Sequence, residues 1–165
     1  MPRELLLMRH AKSSWENPLL SDTDRPLNKR GRRVSLAMGE HLSRLKMEPA
    51  LVMSSPALRA WQTALLLSSV FEKAVDIHIE DSLYDSSSDK WQQAIKGLAD
   101  EAHRVMMIGH NPELHVFISE VSDFIIPKFP TSAIAVFEVH AQSWQTCERA
   151  DFKLKELIIP KKLGL

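Results

Sequence analysis

Four consecutive apolar side chains, Leu5-Leu6-Leu7-Met8, stop abruptly at Arg9-His10. A continuous run of this length suits a strand buried on both faces, with its polar residues at the carboxyl end. Such a strand dictates its surroundings, because other elements must cover each face. Candidates for that cover follow along the chain. After a loop rich in Ser, Asp, Asn and Pro from Ser13 to Asn28, the residues Val34, Leu36, Ala37, His41, Leu42 and Leu45 recur at helical spacing. Ala50 to Met53 reads as a second buried strand, and Ser54-Ser55-Pro56 as a cap-then-proline start for a helix running to about Phe71. Val75 to Ile79 alternates as a strand, Asp89 to Ala102 is helical around Trp91, Ile95 and Leu98, and Val105 to Ile108 is a fourth buried strand. Gly109-His110-Asn111-Pro112 then turns the chain into another helix, with Asn111 expected as its cap and Pro112 at its first position. Ala133 to Val139 and Phe152 to Ile159 alternate like strands, expected as an antiparallel-edged extension of the sheet joined by a turn around Ala141 to Thr146.

This order predicts an α/β fold, a three-layer α/β/α arrangement with a mostly parallel central sheet, formed by residues 1–165 as a single domain. Hydrophobic residues make up 44% of the chain, enough for one core. Lys plus Arg equals Asp plus Glu at 21 each, so no global field draws the protein to nucleic acid or to an anionic membrane surface, and any anion site must be local. The apolar run Leu5 to Met8 is too short for a signal-peptide core or a membrane span, and the lone Cys147 can form no internal disulfide; both point to the cytoplasm. Ligands of such sheets bind beyond the carboxyl ends of the strands, so functional residues are expected just after strands.

Arg9-His10, Ser54 to Arg59, and Gly109-His110 lie there. Singly each is weak: a strand-end dipeptide, a helix-surface arginine, a histidine in a turn. Together, two histidines and two arginines at one sheet edge describe a site shaped for phosphate, helped by the free N–H groups of the helix that carries Arg59. Arg25, on the long loop, is a further candidate anion ligand, and Trp15, on the loop directly after His10, a candidate substrate-facing residue. Zinc is the main rival, but Arg9 beside His10 and Arg59 nearby would repel a divalent cation, and neither HExxH nor paired-Cys spacing occurs. With five glycines and no GxxxxGK run, P-loop chemistry is set aside. His41, His78, His103, His115 and His140 lie on helix or strand faces without convergent partners.

The segments Met8-Arg9-His10-Ala11-Lys12, Arg25-Pro26-Leu27 with Gly31, Ser54-Ser55-Pro56-Ala57-Leu58-Arg59-Ala60 with Gln62-Thr63-Ala64, and Gly109-His110-Asn111-Pro112 resemble the histidine phosphatase superfamily, which is phosphoglycerate mutase-like in fold. Their order and spacing look most like its small branch, the SixA-type phosphohistidine phosphatases. The resemblance spans nearly the whole chain, including Pro130-Thr131-Ser132-Ala133 and the Pro160-Lys161 ending. It implies that His10 is the nucleophile, that Arg9, Arg59 and His110 bind the phosphoryl group, and that Arg25 is a further phosphate-binding arginine. Two departures stand out. Ala11 replaces the more usual glycine, and the usual acid glutamate has no counterpart, since Ser82-Leu83-Tyr84-Asp85 places Asp85, or else Asp81, at that point. Independently, a histidine attacks phosphorus only when neutral, and neighbouring guanidinium charges favour that form.

Three readings follow: a phosphatase of phosphohistidine on a protein, a phosphatase of small phosphorylated metabolites, or a phosphate-binding module without turnover. The last is disfavoured because Arg9, His10, Arg59 and His110 are all present. A mutase would need long insertions for which 165 residues leave no room. Phosphoryl transfer needs positioning and charge neutralisation, which two fork-shaped arginines and His110 can supply, so no cofactor is implied. Turnover is therefore expected to survive EDTA; loss of activity in the chelator, restored by zinc or magnesium, would overturn this expectation.

Overall fold

The computed structural model describes all residues 1–165. In chain order the elements are β1 (Arg3–Arg9), α1 (Lys29–Arg44), β2 (Leu51–Ser54), α2 (Leu58–Ser68), β3 (Asp76–Ile79), α3 (Ser88–Lys96), β4 (Arg104–Gly109), α4 (Glu113–Val121), β5 (Ile134–Val139) and β6 (Phe152–Ile158). One six-stranded sheet runs in the order β3-β2-β4-β1-β5-β6. Leu5 to Met8 are fully buried, as a central strand requires. Alternation along β1 sends Leu5 and Leu7 into one core and Leu6 and Met8 into the other. The first core is closed by Trp91 and Ile95 of α3 and by Leu114, Phe117 and Ile118 of α4. The second is closed by Val34, Met38 and Leu42 of α1 and by Ala60, Ala64 and Leu67 of α2. The result is the expected α/β/α stack.

The late strands form the expected antiparallel extension at one edge of the sheet, and their order adds a detail that alternation alone does not give. β5 is antiparallel to β1 and β6 antiparallel to β5, so the reversed strand is interior and the edge strand β6 again runs with β1. The reversal has a local use. Ile134, the first residue of β5, pairs with Met8 near the end of β1, so the segment leading into β5 arrives at the carboxyl edge of the sheet. There the Ser132 N–H donates to the carbonyls of Arg9 and His10 at 3.0 and 3.2 Å.

Both expected proline-led helix starts differ. Ala57, not a serine, holds the cap position of α2 and makes no side-chain cap bond. The Ser55 hydroxyl instead accepts from the Ala57 N–H at 3.2 Å and bonds His110 Nε2 at 2.7 Å. At α4, Pro112 holds the cap position, while the Asn111 amide donates to the Phe129 carbonyl at 2.8 Å. In each case a side chain suited to capping is drawn away by a partner distant in sequence. Asn28 does cap α1, accepting from the Gly31 N–H at 2.8 Å. Its own N–H donates to the Lys12 carbonyl, which ties α1 to the loop that follows β1.

Gly31 lets that contact close. A Cβ built on it would lie 2.1 Å from the Lys12 carbonyl oxygen, a backbone atom that cannot swing aside. Gly31→Ala is therefore expected to destabilise the protein by about 1–3 kcal/mol, the usual cost of overpacking, despite alanine's better helix propensity. Thermal denaturation checks this, and an unchanged or raised midpoint would show that the loop yields without cost.

Candidate active site

The carboxyl ends of β1, β2 and β4 release three segments toward one another, and their side chains meet. His10 and His110 lie side by side with ring centroids 5.0 Å apart. Arg59, in the first turn of α2, spans both: its Nε–H donates to His10 Nε2 and its Nη2 approaches His110 Nδ1, each at 3.4 Å. His10 Nδ1 lies 2.7 Å from the Ala11 carbonyl. A carbonyl only accepts and a guanidinium only donates, so these neighbours fix the tautomer. The proton sits on Nδ1, and the Nε2 lone pair faces Arg59. The same reasoning leaves Nδ1 of His110 unprotonated and its Nε2–H donating to Ser55 Oγ.

A small cavity of about 190 Å³ opens over His10, with Arg9, Arg25, Arg59 and Thr131 among its walls and Lys12 and Trp15 at its lip. Four cations around so small a space suit an oxyanion. Arg25 is buried: its Nε donates to the Ser14 carbonyl, its Nη2 to Ser13 Oγ at 2.5 Å, and its guanidinium carbon lies 3.2 Å from the Trp15 ring centroid. Trp15, 76% exposed, thus covers Arg25 with one face and offers the other to solvent. Arg9 donates to the Phe129 carbonyl at 3.3 Å, and its Nε is buried without a partner. The loops are braced from α2, where Thr63 Oγ accepts from the Ala11 N–H at 3.0 Å and Gln62 Oε1 from the Leu27 N–H at 2.8 Å.

Residues 5–115 match the model of the histidine phosphatase superfamily (branch 1). The chain belongs to the histidine phosphatase superfamily. An uncharacterized protein of Mycobacterium leprae is 32% identical over 169 residues, covering 93% of this chain and 100% of its own. A structure from Agrobacterium tumefaciens assigned to the phosphohistidine phosphatase SixA is 28% identical, with a TM-score of 0.80 over 97% of this chain and 100% of that one. The fold is shared, too, with a protein histidine phosphatase SixA complexed with tungstate, at a TM-score of 0.82, 24% identity and coverage of 97% and 99%. The protein is therefore a histidine-dependent phosphatase of SixA type with the phosphoglycerate mutase-like fold.

This histidine phosphatase keeps both rings of its pocket uncharged. Burial pushes His10 from its ordinary 6.5 down to about 4, opposed by the Ala11 carbonyl and aided by the guanidinium charges of Arg59, Arg9 and Arg25. Burial likewise pushes His110 down to about 3, with His10 and Arg59 adding to the effect and Asp22 opposing it. No helix is long and apolar enough to cross a membrane.

Sequence reasoning missed three participants. Asp22, in a short helical turn of the loop before α1, accepts from Arg25, Arg59 and Tyr84. Tyr84 also sets its ring edge-on to His110, with centroids 5.5 Å apart. Ser55 orients His110. Ser55 lies inside the Ser54-Ser55-Pro56 motif and Tyr84 beside Asp85 in Ser82-Leu83-Tyr84-Asp85, but neither residue type points to its role there, and Asp22 lies among ordinary loop residues. Asp85 and Asp81 are exposed and their carboxylates hydrogen-bond none of the cluster, and Asp85 takes the left-handed region at φ 48°.

The histidine shifts have a signed consequence. Because the folded values lie below 6.5, the unfolded chain takes up these protons first. The stability gained by keeping the rings neutral is full above about pH 6.5 and is lost as pH falls toward 4 and then 3. NMR titration of the two imidazoles is expected to give midpoints well below 5, and His10→Ala to flatten the acid slope of stability. Midpoints near 6.5 would contradict the burial argument.

Proposed function

We propose that this chain hydrolyses phosphohistidine on a protein, through a phosphorylated His10. One observation carries the reading: His10 is neutral with its proton on Nδ1, and its Nε2 lone pair, met only by the long 3.4 Å contact from Arg59 Nε–H, faces a cationic pocket. In the first step Nε2 attacks phosphorus in line, the N–P bond to His10 forms, and the bond to the substrate's imidazole breaks, that ring leaving neutral with the proton its far nitrogen already carries. In the second, water attacks phosphorus, the His10 N–P bond breaks with the electron pair returning to Nε2, and the water's proton leaves with the inorganic phosphate. Arg9, Arg59 and Arg25 bind the equatorial oxygens throughout. An arriving phosphoryl dianion raises the pKa of His110 from its low value in the free site, because opposite charge favours the imidazolium.

Two features favour phosphohistidine over small phosphomonoesters. A cavity of about 190 Å³ is smaller than the roughly 300–1,000 Å³ typical of small-molecule sites, so it admits a phosphoryl group and leaves the rest of the substrate outside, where a protein surface can sit. The exposed Trp15 and Leu19 stand on the loop bordering that mouth. The second feature is the leaving group. An ester expels an alkoxide and needs a well-placed acid, whereas phosphohistidine expels an imidazole, which leaves easily. Asp85, the donor proposed from sequence, is exposed and makes no bond into the pocket. The reading places the reaction in the cytoplasm, in keeping with a single thiol, Cys147, buried and pushed up to about 11 by burial.

His10→Ala is expected to abolish turnover while circular dichroism stays native. General acid catalysis is worth about 100- to 10,000-fold, so a site without a placed acid should give a higher kcat/KM on phosphohistidine than on phosphoserine or sugar phosphates, and Asp85→Asn, exposed and unbonded to the pocket, should leave both nearly unchanged. Hydrolysis by a folded His10→Ala protein would remove the nucleophile assignment. Equal kcat/KM on both classes would favour small phosphomonoesters.

A further inference from the structure

Asp22 is the one acidic side chain that contacts the arginines of the site. Its backbone carbonyl accepts from Arg59 Nη1 at 2.7 Å, and its Oδ2 from Arg59 Nη2 at 3.0 Å and from the Tyr84 hydroxyl at 2.7 Å. Its Oδ1 accepts from Arg25 Nη1 at 3.1 Å. These contacts take the Nη1–Nη2 end of the Arg59 fork, while the Nε–Nη2 side is the one turned to His10 and His110. A guanidinium presents two such paired edges, so a clamp on one leaves the other, held only by the two long 3.4 Å contacts to the imidazoles, to give a bidentate grip on phosphoryl oxygens.

Two roles fit an anion beside phosphate-binding arginines, and they differ in sign. A counter-ion seated in the phosphoryl position would compete with substrate and be displaced by it. A clamp would set the angle of the arginines and stay. The carboxylate hydrogen-bonds neither imidazole and grips the outer end of Arg59, which places it behind the guanidinium rather than over His10. Its side chain is 48% exposed, so water weakens its repulsion of an oxyanion. Tyr84, edge-on to His110, holds the carboxylate from the wall that carries the second histidine.

We propose that Asp22 is a positioning residue, which aims Arg59 and Arg25 at the phosphoryl oxygens with Tyr84 fixing its carboxylate. The inference rests on the phosphatase reading above and adds to it a specific orienting group. Hydrogen bonds from Tyr84, Arg59 and Arg25 hold the Asp22 carboxyl down to about 2, so the clamp is charged at every pH of interest.

The test is tungstate binding by calorimetry, read beside kcat and KM, for the wild type, Asp22→Asn and Tyr84→Phe. Asp22→Asn is expected to weaken tungstate about tenfold and to lower kcat by up to about a hundredfold, the scale of an ångström-sized misplacement. Tyr84→Phe, which keeps the ring and loses one bond to Asp22, should move both in the same direction by less. Tighter tungstate binding by Asp22→Asn, or an unchanged kcat, would overturn the clamp in favour of a counter-ion or a bystander. Should Asp22→Asn not fold, Tyr84→Phe decides alone, and wild-type values in it would overturn the proposal. Tungstate binding needs no turnover. A wild type that binds tungstate yet hydrolyses no phosphorylated compound would sink the phosphatase reading and spare the clamp, whereas an active wild type with an indifferent Asp22→Asn would do the reverse.

Discussion

Two imidazoles lie with centroids 5.0 Å apart, His10 in a pocket with Arg9, Arg25 and Arg59 and His110 against Arg59, an arrangement that would repel itself if the rings were charged. Burial at the end of a central strand prevents this, since both rings are more than nine-tenths covered and are held far below their ordinary pKa. The Ala11 carbonyl then decides which nitrogen of His10 keeps the proton, and the Arg59 guanidinium facing Nδ1 does the same for His110. Everything that makes His10 reactive follows from where β1 ends.

The packing around β1 serves that end point. Leu5 to Met8 lock the strand between two cores, Gly31 lets α1 close on the backbone of Lys12, and Thr63 reaches from α2 to the Ala11 N–H. The loop that carries Arg25 is pinned by Gln62 and by the stacking of Trp15. Few of these groups can touch substrate, yet each limits how far the reacting nitrogen can drift, and small drifts are costly in reactions that depend on alignment.

Much of this was legible in the sequence because strands buried on both faces interrupt their apolar runs where the ligand site begins. Arg9, His10, Arg59 and His110 were placed at one edge by that rule before any contact was known. Asp22 and Tyr84 were not, because their roles arise from bonds across 37 and 62 residues and leave no periodic trace. The caps expected at Ser54-Ser55 and Asn111 failed for a related reason: local propensity was right about the residue type, but a distant His110 or Phe129 carbonyl took the side chain. The position of β5 inside the sheet was hidden as well, since alternation reveals a strand and not its neighbour.

That position has a consequence for synthesis. β1 gains β4 on one side once residues up to about 109 exist, but its other side stays open until Ile134–Val139 arrives. A growing chain therefore carries His10, Arg9, Arg25 and Arg59 long before Ser132 can bind the carbonyls of Arg9 and His10. During that interval β1 is an unpaired apolar edge, the feature through which chains most readily associate. The nucleophile is made early and shaped late, so the ribosome-bound polypeptide holds its chemistry in reserve until the last third of the molecule has been threaded beside the first strand.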